Sequence, residues 1–273
     1  MATDQYRSPT LISAPITWLG ATVRQSVGEM VWAIGFAFAL LRQSAVLLLR
    51  RQIASPVLVS QIYFTGVEAL PILGVISLSI GAAVVLQGVS MFPQFGQGEL
   101  TYKILILVIT RELGPLLTAL ILAARSGSAI TTELGNMVVD HEIEAYQAVG
   151  INPISHLAVP RLIGVTVAMV FLNLYFNLFG LFGSCLIGSL IHGIPLGEYL
   201  GNLVLVISLE DVIVAGVKSI FFGVILGTVA TYFGFQVDRA VTEVPQKTIK
   251  SLGASMTLCV LASTVISILF ELR

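Results

Sequence analysis

The sequence contains little charge. Only 11% of its 273 residues are Asp, Glu, Lys or Arg, whereas 56% are hydrophobic. Soluble globular chains carry about 25% charged residues, and a chain of this size with so few could not cover its surface in water. The 14 basic residues are balanced by 15 acidic ones, which argues against a nucleic-acid partner and against a disordered chain. The composition therefore indicates a membrane protein.

Cysteines and catalytic motifs are also scarce. Cys185 and Cys259 are the only cysteines and lie in apolar stretches, so a disulfide scaffold is excluded. The chain lacks the G-x-x-x-x-G-K-[ST] loop that binds ATP phosphates. His141-Glu142 begins an H-E-x-x-H zinc pattern, but Ala145 stands where the second histidine is needed. We therefore expect no enzyme activity, and no cofactor or metal bound by this chain.

Long intervals without charge predict the membrane spans. A helix needs about 20 apolar residues to cross the hydrocarbon core. Five intervals reach about this length: 69–98, 104–124, 162–197, 219–237 and 251–270. The second of them is interrupted only by Arg111-Glu112. They are apolar on every side instead of alternating, which indicates helices and not barrel strands. The predicted fold is an all-α, polytopic membrane protein with five transmembrane helices. The third span, 162–197, is expected to end near His192.

The N-terminal region, residues 1–60, differs from the transmembrane region, residues 61–273. Its apolar runs, 30–41 and 43–49, are bounded by charges and are too short to cross a bilayer. We therefore predict an amphipathic helix over about 15–50 that lies in or dips into the inner interface.

Basic residues fix the predicted orientation. With a cytoplasmic N-terminus and five crossings, only Lys103 and Arg273 lie outside, which satisfies the positive-inside rule. The ten basic residues on the cytoplasmic side are Arg7, Arg24, Arg42, Arg50, Arg51, Arg125, Arg161, Arg239, Lys247 and Lys250.

Three charged residues fall inside the predicted spans. A charge in the bilayer costs about 2.5–3.5 kcal/mol, so Arg111, Glu112 and Lys218 need partners or a wet cavity. A helix rises 1.5 Å per residue, which puts Glu112 about 14 Å and Lys218 about 11 Å below the outer surface. We expect both to face one polar cavity in the outer half of the membrane. The alternative is a structural ion pair. Gly114-Pro115 breaks the adjacent backbone ladder, and this favours a site.

The most polar stretch, 133–150, lies in the long cytoplasmic connection. Residues 142–150 predict a short helix that ends at Gly150, with Asn152-Pro153 preventing its continuation. Such a helix is either a solvated turn or a docking surface for a partner.

Several of these segments together resemble a known family. Arg111-Glu112-Leu113-Gly114-Pro115 is followed by the A-R-S-G-S-A segment at 124–129 and by Glu133-Leu134-Gly135. Leu86-Gln87-Gly88 precedes them and Lys218-Ser219 follows. From about Gln61 to the C-terminus, the chain resembles the MlaE/YrbE permeases of Mce-associated lipid ABC transporters.

The resemblance implies an assembly. It implies a homodimer with an interfacial helix and five spans per subunit, a cytoplasmic ABC ATPase dimer that uses ATP and Mg, and a periplasmic ring of Mce-domain protein. The location would be the inner membrane of a diderm bacterium. The function implied is movement of phospholipid between that membrane and the Mce-domain protein, which maintains outer-membrane lipid asymmetry.

The resemblance also implies two sets of site residues. Lipid would bind in a cavity at the dimer interface, where Phe92 and Phe95 occupy wall positions and Asp211 matches a family acidic position. The other implied lipid-binding residues are Gln87, Arg111, Glu112, Leu113 and Lys218. Glu144-Ala145 followed by Gly150 is similar to the E-A-A-x-x-x-G loop by which ABC permeases engage their ATPase. The implied coupling residues are Glu142, Glu144, Ala145, Tyr146, Val149 and Gly150.

Two other functions remain open from the sequence. One is an ABC permease for another apolar lipid, such as a sterol. The other is a membrane scaffold without transport, in which the intramembrane charges are structural. A secondary transporter is less favoured, because only one strong Gly-Pro break occurs and the two halves lack a matching pair.

Overall fold

The computed structural model describes residues 13–50, 55–91, 98–192, 195–238 and 240–272. Most of these residues are helical, and none of them forms a strand. The α-helices are α1 Ser13–Arg50, α2 Ser55–Gly66, α3 Leu70–Met91, α4 Gly98–Ile106, α5 Gly114–Leu122, α6 Ser128–Val139, α7 Glu142–Ala148, α8 Val159–His192, α9 Leu196–Val206, α10 Leu209–Phe235 and α11 Glu243–Glu271. A 3₁₀ turn, Val67–Ala69, joins α2 to α3, and π-helical segments occupy Leu107–Leu113, Ala123–Gly127 and Ile154–Ala158.

The five predicted spans correspond to five long, apolar helical stretches. These are Val57–Gly88, Tyr102–Val139, Ile154–Ile191, Leu209–Phe235 and Glu243–Glu271. The all-α, polytopic fold class is confirmed, and α8 ends at His192 as predicted. The helices extend beyond the charge-free intervals because paired charges lie within them. Glu68, for example, is inside the first stretch and forms an ion pair with Arg125.

The N-terminal helix is longer than its separate apolar runs suggest. Arg42 does not interrupt α1, since arginine is a good helix former. Val31–Arg50 is consequently a sixth stretch that is long and apolar enough to cross a membrane. The conclusion that this region is too short to cross is therefore wrong as an argument from length.

The contacts of α1 lie at one end of α8. Leu40 is buried against Ala158, Val159 and Leu162, and Ser155 Oγ donates to Gln43 Oε1 at 3.1 Å. These partners lie in or beside the first turns of α8. The interfacial position of α1 remains our prediction, and these contacts favour it.

Helix α8 is the central helix of the bundle and packs against α2, α3 and α10. Small residues permit the close approach. A Cβ at Gly223 would lie 2.6 Å from the Thr166 Cα, and one at Gly227 would lie 2.9 Å from the Leu162 Cα. The Gly223-x-x-x-Gly227 pattern therefore serves helix packing. Helix α10 also packs against α6, against α11 and against the π-helical segment Leu107–Leu113. The last two elements carry the candidate site together with α10.

At the other end of α8, α9 folds back onto the bundle. The buried Tyr199 hydroxyl donates to Ser184 Oγ at 2.9 Å, and the Tyr102 ring lies 5.2 Å from the Tyr199 ring. Burial raises the pKa of Tyr199 to about 12, so the hydroxyl stays protonated and remains a donor. These contacts hold α4 and α9 against the outer end of α8.

Candidate functional site

The candidate site begins at the break before Pro115. Proline has no N–H, so the carbonyl of Arg111, four residues earlier, loses its helical partner. The Gly114 N–H reaches back five residues to Ile109 O, which makes Leu107–Leu113 π-helical. The predicted break in the ladder is present, and it lies in the segment that carries Arg111 and Glu112. Such π-helical turns are frequent at functional sites.

Lys218 on α10 compensates for this break. Its Nζ donates to Arg111 O at 2.8 Å and to Glu112 Oε1 at 2.7 Å. The Lys218 side chain is fully buried. One cation therefore satisfies the carbonyl that Pro115 leaves without a partner, and also neutralises the Glu112 carboxylate. The similar depths of Glu112 and Lys218 permit this contact, and the ion pair is the alternative that the sequence leaves open beside a shared cavity. Lys218 lies beneath Glu112, so in this arrangement it acts on a ligand only through Glu112.

Two serines of α11 complete the surroundings of Glu112. Ser267 Oγ donates to Glu112 Oε1 at 2.8 Å, and Ser263 Oγ donates to Oε2 at 3.5 Å. The Glu112 side chain keeps 43% of its surface exposed. The sequence analysis did not identify Ser263 and Ser267. Their spacing of four residues, which puts them on one helix face, was the available signal.

Arg111 turns away from Glu112 toward the start of α10. Its Nε lies 2.6 Å from Asp211 Oδ1. The other oxygen of Asp211 accepts from the Ser208 N–H at 2.9 Å and from the Ser208 hydroxyl at 2.8 Å, and the Asp211 N–H donates to Ser208 Oγ. This capping box fixes the first turn of α10. Asp211 thus orients Arg111, and a quarter of the Arg111 side chain remains exposed.

Four charges of the cluster balance, and the exposed Glu210 carboxylate adds a fifth, at 3.9 Å from Arg111 Nη2. Arg111 and Lys218 are cationic, and Glu112 and Asp211 are anionic. Only Arg111 and Glu112 combine a fixed position with substantial exposure. A guanidinium group suits phosphate oxygens, and a carboxylate suits an ammonium or hydroxyl group. The chemistry available here is recognition of a polar headgroup.

The other sequence-predicted lipid residues have varied positions. Leu113 is half-buried at the end of the π-helical segment, next to Glu112. Gln87 lies one turn before the end of α3 and is exposed. Phe92 and Phe95 fall outside the described residues.

The predicted short helix is α7, Glu142–Ala148. It ends in a Schellman motif, since the Gly150 N–H bonds Gln147 O at 3.0 Å and the Ile151 N–H bonds Tyr146 O at 2.9 Å. Gly150 has φ +81°, a left-handed conformation that glycine adopts without strain.

The two faces of α7 differ. Ile143 and Tyr146 are half-buried, and the Tyr146 ring lies 5.5 Å from the His156 ring. Glu142, Glu144 and Ala145 are exposed, as are the following Val149 and Gly150. Tyr146 therefore anchors the helix, whereas the other five predicted coupling residues are available to a partner.

The fold and the two sites define a polytopic helical permease. The family described as Permease MlaE matches residues 58–269, and the chain belongs to this family. The match includes the outer charged cluster and α7.

Named relatives agree with this assignment. A probable ABC transporter permease protein of Rickettsia typhi is 29% identical, over 76% of this chain and 80% of its own length. The intermembrane phospholipid transport system permease protein MlaE of Haemophilus influenzae is 28% identical, over 72% of this chain and 76% of its own. The chloroplastic protein trigalactosyldiacylglycerol 1 of Arabidopsis thaliana is 28% identical, over 77% of this chain and 60% of its own.

Proposed function

We propose that this chain is the permease subunit of an ABC transporter that moves phospholipid between the inner membrane of a diderm bacterium and a periplasmic Mce-domain protein. Such movement would maintain outer-membrane lipid asymmetry. The observation that carries the proposal is the family match over 58–269, which contains the outer charged cluster. The description of the Haemophilus influenzae relative as an intermembrane phospholipid transport permease supports the choice of phospholipid.

The proposal includes partners. Two copies of the chain would form a homodimer, with a cytoplasmic ABC ATPase dimer that uses ATP and Mg and a periplasmic ring of Mce-domain protein. Helix α7 supports the ATPase contact, since its outer face is exposed and the adjoining Val149 side chain is 71% exposed. An apolar side chain so exposed, flanked by Glu142 and Glu144, suits a protein contact.

In the lipid site, Arg111 would donate to phosphate oxygens, with Asp211 holding its orientation. Glu112 would accept from the remaining polar part of the headgroup while Lys218 holds the carboxylate in place. Both exposed groups belong to the π-helical segment, so a shift of this segment moves them together.

ATP binding in the partner would push α7, and this movement would be transmitted to the spans at Arg125 and Arg161. A second route is visible beside α7. Ile143 and Gln147 share a cavity of about 520 Å³ with Phe235 and Val237, which lie at the C-terminal end of α10. Movement of α7 would therefore act on α10, the helix that carries Lys218, and would narrow the outer cavity.

Reconstitution of the complex with its ATPase and Mce-domain partners tests the function. We expect Glu112→Gln to reduce ATP-dependent phospholipid transfer at least tenfold, and an ATPase-inactive partner to abolish it. Glu198→Gln is the matched control, because Glu198 is an exposed carboxylate in the first turn of α9. Normal transfer by Glu112→Gln would overturn the lipid site, and normal transfer with the inactive ATPase would overturn the coupling.

The coupling surface has its own test. Val149→Asp places a charge on the exposed end of α7, and we expect it to weaken ATPase association at least tenfold in a pull-down of purified subunits. Val149→Ile, which keeps the apolar surface, should bind normally. Equal ATPase binding by both variants would show that α7 is only a solvated turn.

A further inference from the structure

A second polar cavity lies at the opposite end of the bundle from the outer charged cluster. Its volume is about 580 Å³, and Ser60, Gln61 and Phe64 of α2 face Glu133 of α6 and Arg161 of α8 across it. Glu133 follows Glu112 by 21 residues along one helical stretch, which separates the two sites by about 30 Å. The cavity is therefore distinct from the outer cluster.

Arg161 supplies a buried cation to this cavity. The residue is 5% exposed, its Nη2 lies 2.8 Å from Glu133 Oε1, and its Nη1 donates to Leu157 O at 3.4 Å. These two contacts use two of the five N–H donors of the guanidinium. Glu133, by contrast, has a side chain that is 61% exposed. The lining thus offers a buried donor group beside an accessible carboxylate.

A second ion pair fixes the deeper wall. Arg125 pairs with Glu68, donates to Phe64 O at 3.2 Å and lies over the Phe64 ring at 5.3 Å from its centre. Phe64 is held by these contacts. The two arginines and two glutamates balance, so an anionic ligand gains no net attraction. A ligand that carries both signs can satisfy both members of the Arg161–Glu133 pair.

The surroundings indicate a lipid and not a soluble ligand. Val59 and Tyr63, the neighbours of Ser60 and Phe64 on α2, are exposed. They lie in the stretch Val57–Gly88, which is long and apolar enough to cross a membrane, so the outer surface of this wall suits contact with hydrocarbon. A headgroup can enter from the side while its acyl chains stay in the membrane.

We propose that this cavity binds the headgroup of a zwitterionic phospholipid of the cytoplasmic leaflet, with the phosphate on Arg161 and the ammonium on Glu133. The inference rests on the proposed lipid transport and adds a second lipid site to it. It also names the lipid class, because phosphatidylethanolamine carries the required pair of charges and phosphatidylglycerol lacks the ammonium group.

Native mass spectrometry of the full chain tests this site. The protein carries Glu112→Gln, so that lipid bound at the outer charged cluster does not contribute to the lipid that is measured. It is taken from vesicles of equal parts phosphatidylethanolamine and phosphatidylglycerol. We expect phosphatidylethanolamine to be retained at least fivefold over phosphatidylglycerol. Ser60→Trp, which fills the cavity, should lower that retention at least fivefold. Val59→Trp, one residue along α2 but outside the lining, should leave it unchanged.

Glu133→Gln provides the sharper variant, since it leaves Arg161 as an uncompensated cation. Preference should then reverse toward phosphatidylglycerol. Equal retention in Ser60→Trp and Val59→Trp, an unchanged preference in Glu133→Gln, or a phosphatidylglycerol preference in the starting protein would each overturn the proposal. Failure of the proposed transport function would instead appear as no ATP-dependent phospholipid transfer by the unsubstituted complete complex. The comparison of Ser60→Trp with Val59→Trp does not depend on that result.

Discussion

The outer charged cluster and the inner Arg161–Glu133 pair both place charge within apolar helices, but they are built differently. At the outer cluster the cation, Lys218, is fully buried and bonds a backbone carbonyl as well as a carboxylate. At the inner pair Arg161 is also buried and donates to Leu157 O at 3.4 Å, but the glutamate that it bonds is 61% exposed. Lys218 therefore supports the broken helix itself, whereas Arg161 mainly supports a cavity. Substitutions in the outer cluster should mainly lower the stability of the protein. Substitutions at the inner pair should mainly change its lipid preference.

The largest effect is expected from Lys218→Met. It leaves Glu112 and the Arg111 carbonyl without their shared donor, and removal of one partner of a buried pair costs about 3–5 kcal/mol. Thermal unfolding in detergent measures the loss in the free energy of unfolding. Adding Glu112→Gln should recover part of it, because the uncompensated carboxylate is gone. A single variant as stable as the original chain would contradict the supporting role of Lys218.

Pro115→Ala should separate stability from function. Alanine restores an N–H that can bond Arg111 O, and removal of proline from a helix interior can recover up to about 3 kcal/mol. We expect equal or higher thermal stability, together with slower lipid transfer, because the Arg111 carbonyl no longer needs Lys218 and the π-helical turn is lost. Unchanged transfer would show that this turn does not position the site.

A smaller effect on stability is expected from Arg161→Gln. It removes a hydrogen bond to a charged group. We expect this to cost about 1.5 kcal/mol, the lower end of the usual range, because water can solvate the exposed Glu133. The test compares the loss in the free energy of unfolding of this variant with that of Lys218→Met under the same conditions. If Arg161→Gln were the more destabilising variant, the distinction between the two regions would be wrong.

Asp211→Asn should have the smallest effect. Asparagine keeps much of the helix-capping ability but loses the ion pair with Arg111, and changes of this kind cost about 1 kcal/mol. Thermal unfolding at low and high salt should show a difference from the original chain that shrinks as salt rises. A difference that is independent of salt would indicate that only the cap, and not the ion pair with Arg111, matters.

Much of the fold was predictable because hydrophobic length determines spans in lipid. The five spans, the helix end near His192 and the Gly150 ending of α7 all follow from local patterns. The similar depths of Glu112 and Lys218 permitted their contact but did not predict it. The continuity of α1 through Arg42 was not predicted, because a charge ends an apolar run without ending a helix.

The remaining features depend on packing between distant segments. Nothing local in the sequence shows that Lys218 bonds the carbonyl that Pro115 leaves without a partner, although the proline itself identifies which carbonyl that is. The serines at 263 and 267 look like packing residues until α11 is placed beside Glu112. The Arg161–Glu133 pair joins α8 to α6, and no spacing rule predicts it.

The most direct test of the central claim is mass spectrometry of the lipids that co-purify with the intact complex, before and after substitution of Glu112 and Lys218. We expect bound phospholipid in the original complex and, with Glu112→Gln, loss of the share that the outer charged cluster holds, while the inner cavity keeps its lipid. The Glu112→Gln/Lys218→Met double variant should lose the same share while remaining folded. Phospholipid retained at the original level in both substituted complexes would contradict the assignment of the outer charged cluster as the lipid site.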